Sequence, residues 1–259
     1  MFSKRRPALT NDPARGAWRS AQGLLWISET PVESGWWSTV HAQRGETGLW
    51  PLLLQGLGTS TPMRPWESGE LLPELIRTRP GDHDVSALLR MWFEGQMPLE
   101  EELAEVGEVI APFRDGWPGL APPGAIGTDP EEHAVESAEL LADFDRAAGA
   151  RLGLVPCSRG ADAPAAIGWS GPLNHENDTA MISAVLRSWE ERFGARLVAL
   201  GFDTMVLSVA APPREIEHAR LVAAEHLGFC PDNITQGTGS LEEYAKELLG
   251  AEQWGFWWD

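Results

Sequence analysis

Residues 196–210 read RLVALGFDTMVLSVA. Two short apolar runs, 196–202 and 204–210, meet at a turn near Asp203. They are too short for buried helices and are punctuated by Gly201 and Asp203, so they read as consecutive strands. Upstream, Ile182, Val185, Leu186, Trp189 and Phe193 recur at helical spacing behind a cap at Asp178, and Gly194 closes that helix. Downstream, Pro212 and Pro213 start a helix that runs to Leu227 and ends at Gly228. Ser240 with Glu243 forms a capping box for the next helix, which Gly250 ends. RLGLVPC (151–157) reads as a strand, 161–167 as a short helix or turn, GWSGPLNHEND (168–178) as a polar loop and QWGFWWD (253–259) as a strand. The sequence of elements, β-α-β-β-α-α-β, is not a βαβ repeat. It predicts an α+β fold with a mixed or antiparallel sheet flanked by helices.

The N-terminal half extends the pattern. LLWISETPV (24–32) is an apolar strand, Trp36, Trp37 and Val40 have helical spacing, and LWPLLLQGL (49–57) is a buried strand in which Pro51 suggests an edge or a strand start. The first sixty residues read β-α-β. Asp84 caps a helix through Gly95, with Val85, Leu88, Leu89 and Trp92 on one face, and Pro98 sits near the start of another. Of the 22 residues 112–133, nine are Pro or Gly, which suits a linker or an ordered excursion. An acidic helix follows over 130–148. The expected organisation is a flexible basic arm (1–20), an N-terminal α/β region (21–111), a linker with the acidic helix (112–150) and a C-terminal domain (151–259).

Charge and composition exclude several classes. The chain has 259 residues, 38 acids against 20 basic residues and a net charge of −18. That balance disfavours a protein that coats nucleic acid, which needs a basic surface. No run approaches the roughly 20 apolar residues of a membrane span, and the basic start lacks an apolar segment behind it, so a cytoplasmic location is expected. The charge is uneven: residues 67–145 hold 19 acids and 4 Arg, or −15, whereas 1–20 are net +4. An acidic block is usually a solvated helix face; it is also a surface for a basic partner. There are 13 Trp against 8 Phe and one Tyr.

Candidate chemistry is sparse. Cys230, with His226 four residues before it and Asp232 and Asn233 after it, supplies the parts of a thiol nucleophile system. Its place after a helix C-terminus works against a thiolate. His226, Cys230 and Asp232, or His175, Glu176 and Asp178, are metal-binding types, but no CxxC, HExxH or HxH spacing occurs, so no metal is expected. His218 and His226 stand about 12 Å apart along their helix, too far to share an ion. GWSGP departs from the G-x-S-x-G elbow at its last position. In 253–259, alternation puts Trp254, Phe256 and Trp258 on one face and Gly255, Trp257 and Asp259 on the other. Core packing accounts for most such faces. The sharper expectation is a cavity beneath the 168–178 loop, to which Trp169, Asn174, Asp232, Gln236, Trp257 and Asp259 contribute stacking and hydrogen bonds to a ligand.

GWSGPLN (168–174), SWEERFGARLVAL (188–200), VAAPP (209–213), AAEHLGFCPDNITQG (223–237) and WGFWWD (254–259), in this order, closely resemble the bacterial family catalogued as domain of unknown function 4253. The resemblance covers about 151–259, and LWPLLLQG and WPGLAP upstream are similar to longer members. It implies an α+β domain in a bacterial cytoplasm and brings no activity or cofactor with it. The loop here, GPLNHEND, departs from the more Trp- and Pro-rich loop of other members, which argues against one fixed catalytic element.

The expected function is therefore a non-catalytic binding or interaction module with a Trp-lined groove, taking a basic protein partner, in one version a toxin in an immunity-like arrangement. The alternative is an enzyme or sensor acting on a small polar ligand around Cys230, Trp257 and Asp259.

Overall fold

Side chains alternate along every strand, and in the central strands both sets are apolar, so the sheet must be covered on both faces. The computed structural model describes residues 16–19, 23–57, 63–97 and 107–259. Its strands are β1 (Gly16–Arg19), β2 (Leu25–Ser28), β3 (Leu49–Leu54), β4 (Arg151–Pro156), β5 (Ala195–Leu200), β6 (Thr204–Val209) and β7 (Gln253–Trp257). They form one seven-stranded sheet in the order β1-β2-β4-β3-β5-β6-β7. All neighbours are antiparallel except β3 and β5, which run parallel and pair at Leu53–Ala199 and Leu54–Leu200. The sheet is mixed, and the fold is α+β as expected. Gly16–Arg19, inside the stretch expected to be an irregular arm, form β1; residues 1–15 and the start of the helix expected at Pro98 lie outside the described residues.

The helices are α1 (Trp36–Ala42), α2 (Arg44–Thr47), α3 (Val85–Gly95), α4 (Pro130–Asp145), α5 (Ala163–Ile167), α6 (Thr179–Phe193), α7 (Ile216–Phe229) and α8 (Leu241–Leu248). On one face of the sheet, Trp37 and Val40 of α1 and Ala134, Ala138 and Ala142 of α4 pack on Trp26, Leu53, Leu152, Leu154 and Val198. On the other, α3, α6, α7 and α8 bury Leu89, Phe93, Ile182, Trp189, Val222, Phe229 and Tyr244 against Leu52, Leu54, Leu197, Leu207, Trp254 and Phe256. The expected caps are present: the Asp84 carboxylate accepts from the amides of Ser86 and Ala87, Asp178 from Ala180, and Ser240 Oγ from Glu243.

Two details depart from the sequence reading, and a third decides between its alternatives. Pro51 lies inside β3, a central strand. The ladder from β3 to β5 is confined to Leu53 and Leu54, so the missing proline N–H breaks no bond with it, and the Trp50 indole instead donates to Leu197 O at 3.0 Å. Gly228 does not end α7, which continues to Phe229. A Cβ there would stand 3.0 Å from Leu89 O and 3.2 Å from Phe93 N, so the glycine lets α7 cross α3 closely. The Pro/Gly-rich stretch is an ordered excursion. The Ala121 amide donates to the Glu225 carboxylate, and Ala121 O accepts from Arg192. Glu225 is fully buried and takes both a two-pronged pair from Arg192 and the Trp189 indole N–H, each at 2.7 Å. Every oxygen is thus answered, which makes a buried carboxylate tolerable.

Candidate functional site

The loop 168–178, the turn after α7 and the chain end meet by bonding to one another. The Asn174 amide donates to Asp259 O at 2.9 Å. The Asp259 N–H donates to Asp232 Oδ2 at 3.0 Å, and the Gln236 amide to Asp232 Oδ1 at 2.8 Å. Trp169 is buried, with its indole N–H on Gly201 O at 2.9 Å and its ring edge-on to Trp258. Trp257 is half-buried on the opposite face of β7.

Beneath them, Asn233 does for β7 what a neighbouring strand would do. Its Nδ2 donates to Gly255 O at 2.7 Å and its Oδ1 accepts from the Trp257 N–H at 3.3 Å. The Cys230 thiol donates to Trp257 O at 2.9 Å. β7 is the last strand in the sheet order, and side chains from the FCPDN turn satisfy backbone groups along its free edge, a protection that edge strands need. The same Asn233 amide donates to the Tyr244 hydroxyl at 2.9 Å, and that hydroxyl meets His226 Nδ1 at 3.0 Å.

These surroundings decide the chemistry of the three candidate catalytic groups. Cys230 is fully buried, and burial pushes its thiol up to about 12, the reverse of an activated nucleophile. His226 is fully buried among Trp189, Trp254 and Phe256; desolvation, then the charge of Arg192, holds it well below its usual value, so the ring is neutral. Asp232 spends both oxygens on Asp259 and Gln236. The glycines of GWSG are packing positions. Gly168 has φ +65, and a Cβ there would fall on the Leu72–Pro73 backbone. Ser170 Oγ donates to Glu70 O at 2.8 Å.

Among the described residues, two open cavities lie elsewhere. One, of about 300 Å³, is lined by Arg44, Trp50, Glu131, Arg159, Glu190 and Arg196 among others. Its cations are paired: Arg44 and Arg196 with Glu131 at 2.9 and 2.7 Å, and Arg159 with Glu190 at 2.9 Å. Burial would raise the Glu131 carboxyl, but hydrogen bonds from His41 and Arg196 and the charges of Arg196 and Arg44 outweigh it and hold the group at about 2. The other, of about 280 Å³, opens where β3 and β5 end and is lined by Gln55, Asp145, Ala148, Phe202, Asp203 and Thr204, with Gly56 and Ala150. Among the described residues, no group of three or more His, Cys, Asp or Glu is placed to hold a metal ion, and no helix is long and apolar enough to cross a membrane.

The residues of the FCPDN turn, the 168–178 loop and the aromatic chain end fall within one matched segment. Residues 151–259 match the family described as Domain of unknown function (DUF4253). Comparison with the curated proteins and with the solved structures returns no match. Within the matched region, the FCPDN turn, the 168–178 loop and the chain end close the C-terminal corner. Sequence reasoning found Cys230, Asp232 and the chain end, read Asn233 only as part of a candidate thiol system and attached no role to Tyr244, yet Asn233 and Tyr244 sit at the centre of the network. A buried amide opposite an edge strand leaves no periodic signal. The cavity at Asp145 and Asp203 was also missed, because it joins residues from both sides of the DUF4253 boundary.

Proposed function

We propose that the chain is a non-catalytic interaction module whose acidic helix α4 receives a basic, amphipathic segment of a protein partner. The observation that carries this is the pair Leu140 and Phe144, 70% and 82% exposed one turn apart on α4. Side chains at i and i+4 are neighbours on a helix surface. Glu132 and Glu136 continue the same line toward the helix start, and Asp143 lies beside it; all three are exposed. A stripe that is acidic at one end and apolar at the other complements a segment carrying Lys or Arg next to large apolar residues. The net charge of −18 would steer such a partner inward. An immunity-like role, with a basic toxin as the partner, is one form of this function and rests on the charge balance alone. The enzyme or sensor alternative at Cys230, Trp257 and Asp259 has less support, since the polar groups there are engaged with each other and the thiol is held protonated.

The test compares the whole chain with L140S/F144S and with E132K/E136K, all at exposed positions, in affinity purification from extracts of the native host. Unchanged melting temperatures show that both variants fold. A protein of net positive charge should be retained by the wild type, be lost with either pair, and bind less as salt rises. Retention of the same proteins by all three, or of none by the wild type, overturns the proposal.

A further inference from the structure

The cavity at the carboxyl ends of β3 and β5 is chemically unlike the rest of the molecule. β3 and β5 are the parallel pair in the sheet. Beyond β3, the Trp66 indole N–H donates back to Gln55 O at 2.7 Å. After β5 the chain turns through Phe202 and Asp203 into β6. Crevices outside the carboxyl ends of neighbouring parallel strands are where open α/β sheets take ligands. Here the end of α4 and the start of β4 complete the walls with Asp145, Ala148 and Ala150.

Asp145 is only 9% exposed, yet the one partner of its carboxylate among the described residues is the neutral Gln55 amide, 2.5 Å from Oδ2. Its other oxygen, Oδ1, has no hydrogen-bond partner among the described residues. Of the neighbouring arginines, Arg146 lies 3.9 Å from Asp143 at the surface, and Arg64 pairs with Glu70 at 2.6 Å while its guanidinium stacks on one face of the Phe202 ring, 4.5 Å from the ring centre. Contrast Glu225, which is fully buried but answered by an arginine, an indole and an amide. A buried carboxylate without a cation is costly. This one faces a cavity that holds a second carboxylate, Asp203, also without a cation among the described residues. The partial negative charge at the C-terminus of α4 adds to the same field.

The remaining walls set the class of ligand. Phe202, Ala148 and Ala150 are apolar, which suits a hydrocarbon stem and not the all-oxygen shell of a hard metal ion. The volume, about 280 Å³, is roughly that of nine water molecules, enough for a short alkylamine. We propose that this cavity binds an organic cation, an alkylammonium or alkylguanidinium group, with its charge at Asp145 and Asp203 and its stem against Phe202, Ala148 and Ala150. The site does not depend on the exposed stripe of α4.

Titration calorimetry on the full chain tests this with agmatine and 1,5-diaminopentane, with lysine and arginine blocked at both backbone ends, with neutral 1-pentanol, and with Ca²⁺. The cations should bind saturably and raise the melting temperature, and pentanol should not. Asp203→Asn, at the half-exposed rim and so neutral to folding, should weaken binding at least about tenfold. Asp145→Asn, which keeps the side-chain shape, should weaken it as much or more. Binding of the free amines alone assigns the site to a small metabolite; binding of the blocked residues assigns it to a Lys or Arg side chain; either supports the cation site. Equal binding of pentanol, competition by Ca²⁺, no saturable binding of any cation, or unchanged affinity in both variants overturns it.

Discussion

Asn233 shows how a single side chain can stand in for a strand. Its amide presents one donor and one acceptor at the spacing of a peptide group, and β7 offers Gly255 O and the Trp257 N–H to meet them. The neighbouring Cys230 thiol closes the next carbonyl. Asn233→Ala would leave three backbone or hydroxyl groups short of a partner and should cost about 2–3 kcal/mol, read by denaturant unfolding. The same experiment has a chemical readout. In the wild type, Cys230 should resist thiol reagents at neutral pH until the protein unfolds, since it is buried and protonated. In Asn233→Ala it should react well below the unfolding midpoint. Rapid labelling of Cys230 in the native wild-type chain would refute both its structural role and the tight corner described here.

Helix α4 carries two opposite tasks on its two sides. Inward, Ala134, Ala138 and Ala142 are small enough for the helix to lie close on β3 and β5. Outward, Leu140 and Phe144 stand free above a line of acids. Its first turn is held by Glu131, which receives His41 at 2.8 Å, Arg44 at 2.9 Å and Arg196 at 2.7 Å and so binds α4 to α1, to α2 and to β5. Because this carboxyl sits at about 2 when folded, against about 4.5 when free, the unfolded chain takes up a proton first as pH falls. The stability that Glu131 contributes is therefore complete above about pH 4.5 and disappears as pH drops toward about 2. Over that window the melting temperature of the wild type should fall more steeply than that of Glu131→Gln, which starts lower and lacks this titration. Parallel curves for the two proteins would show that the ion pairs do not hold the helix. The helix itself was legible from Pro130 at its start and Gly149 beyond its end, and the structure adds the Asp129 cap on the amide of Glu131. That Glu131 faces a basic cluster was not, since Arg44 and Arg196 are remote in sequence.

At the scale of the whole molecule, the matched region and the structural unit do not coincide. β4, the first strand of 151–259, pairs with β2 and β3, and β3 stands between β4 and β5. The segment 151–259 expressed alone would keep β5, β6 and β7 but strand β4 without either neighbour and open an apolar face that α1 and α4 normally cover. It should show weak, non-cooperative melting and aggregate, whereas the full chain melts cooperatively; a well-dispersed amide spectrum from the isolated segment would contradict this. The sequence by itself determined the strands and helices other than β1, the caps at Asp84, Asp178 and Ser240, the α+β class and the resemblance of residues 151–259 to DUF4253, because periodicity and capping are local. It also marked the aromatic chain end as one to pack: Trp254, Phe256 and Trp258 are buried on one face, as alternation required. Only the tertiary structure decided that Asn233 seals an edge strand, that Glu225 and Arg192 fasten the Pro/Gly-rich excursion, and that Asp145 and Asp203 share a cavity. Each of those joins residues far apart in the chain, and the free energy of a contact depends on burial and partners that no local pattern records.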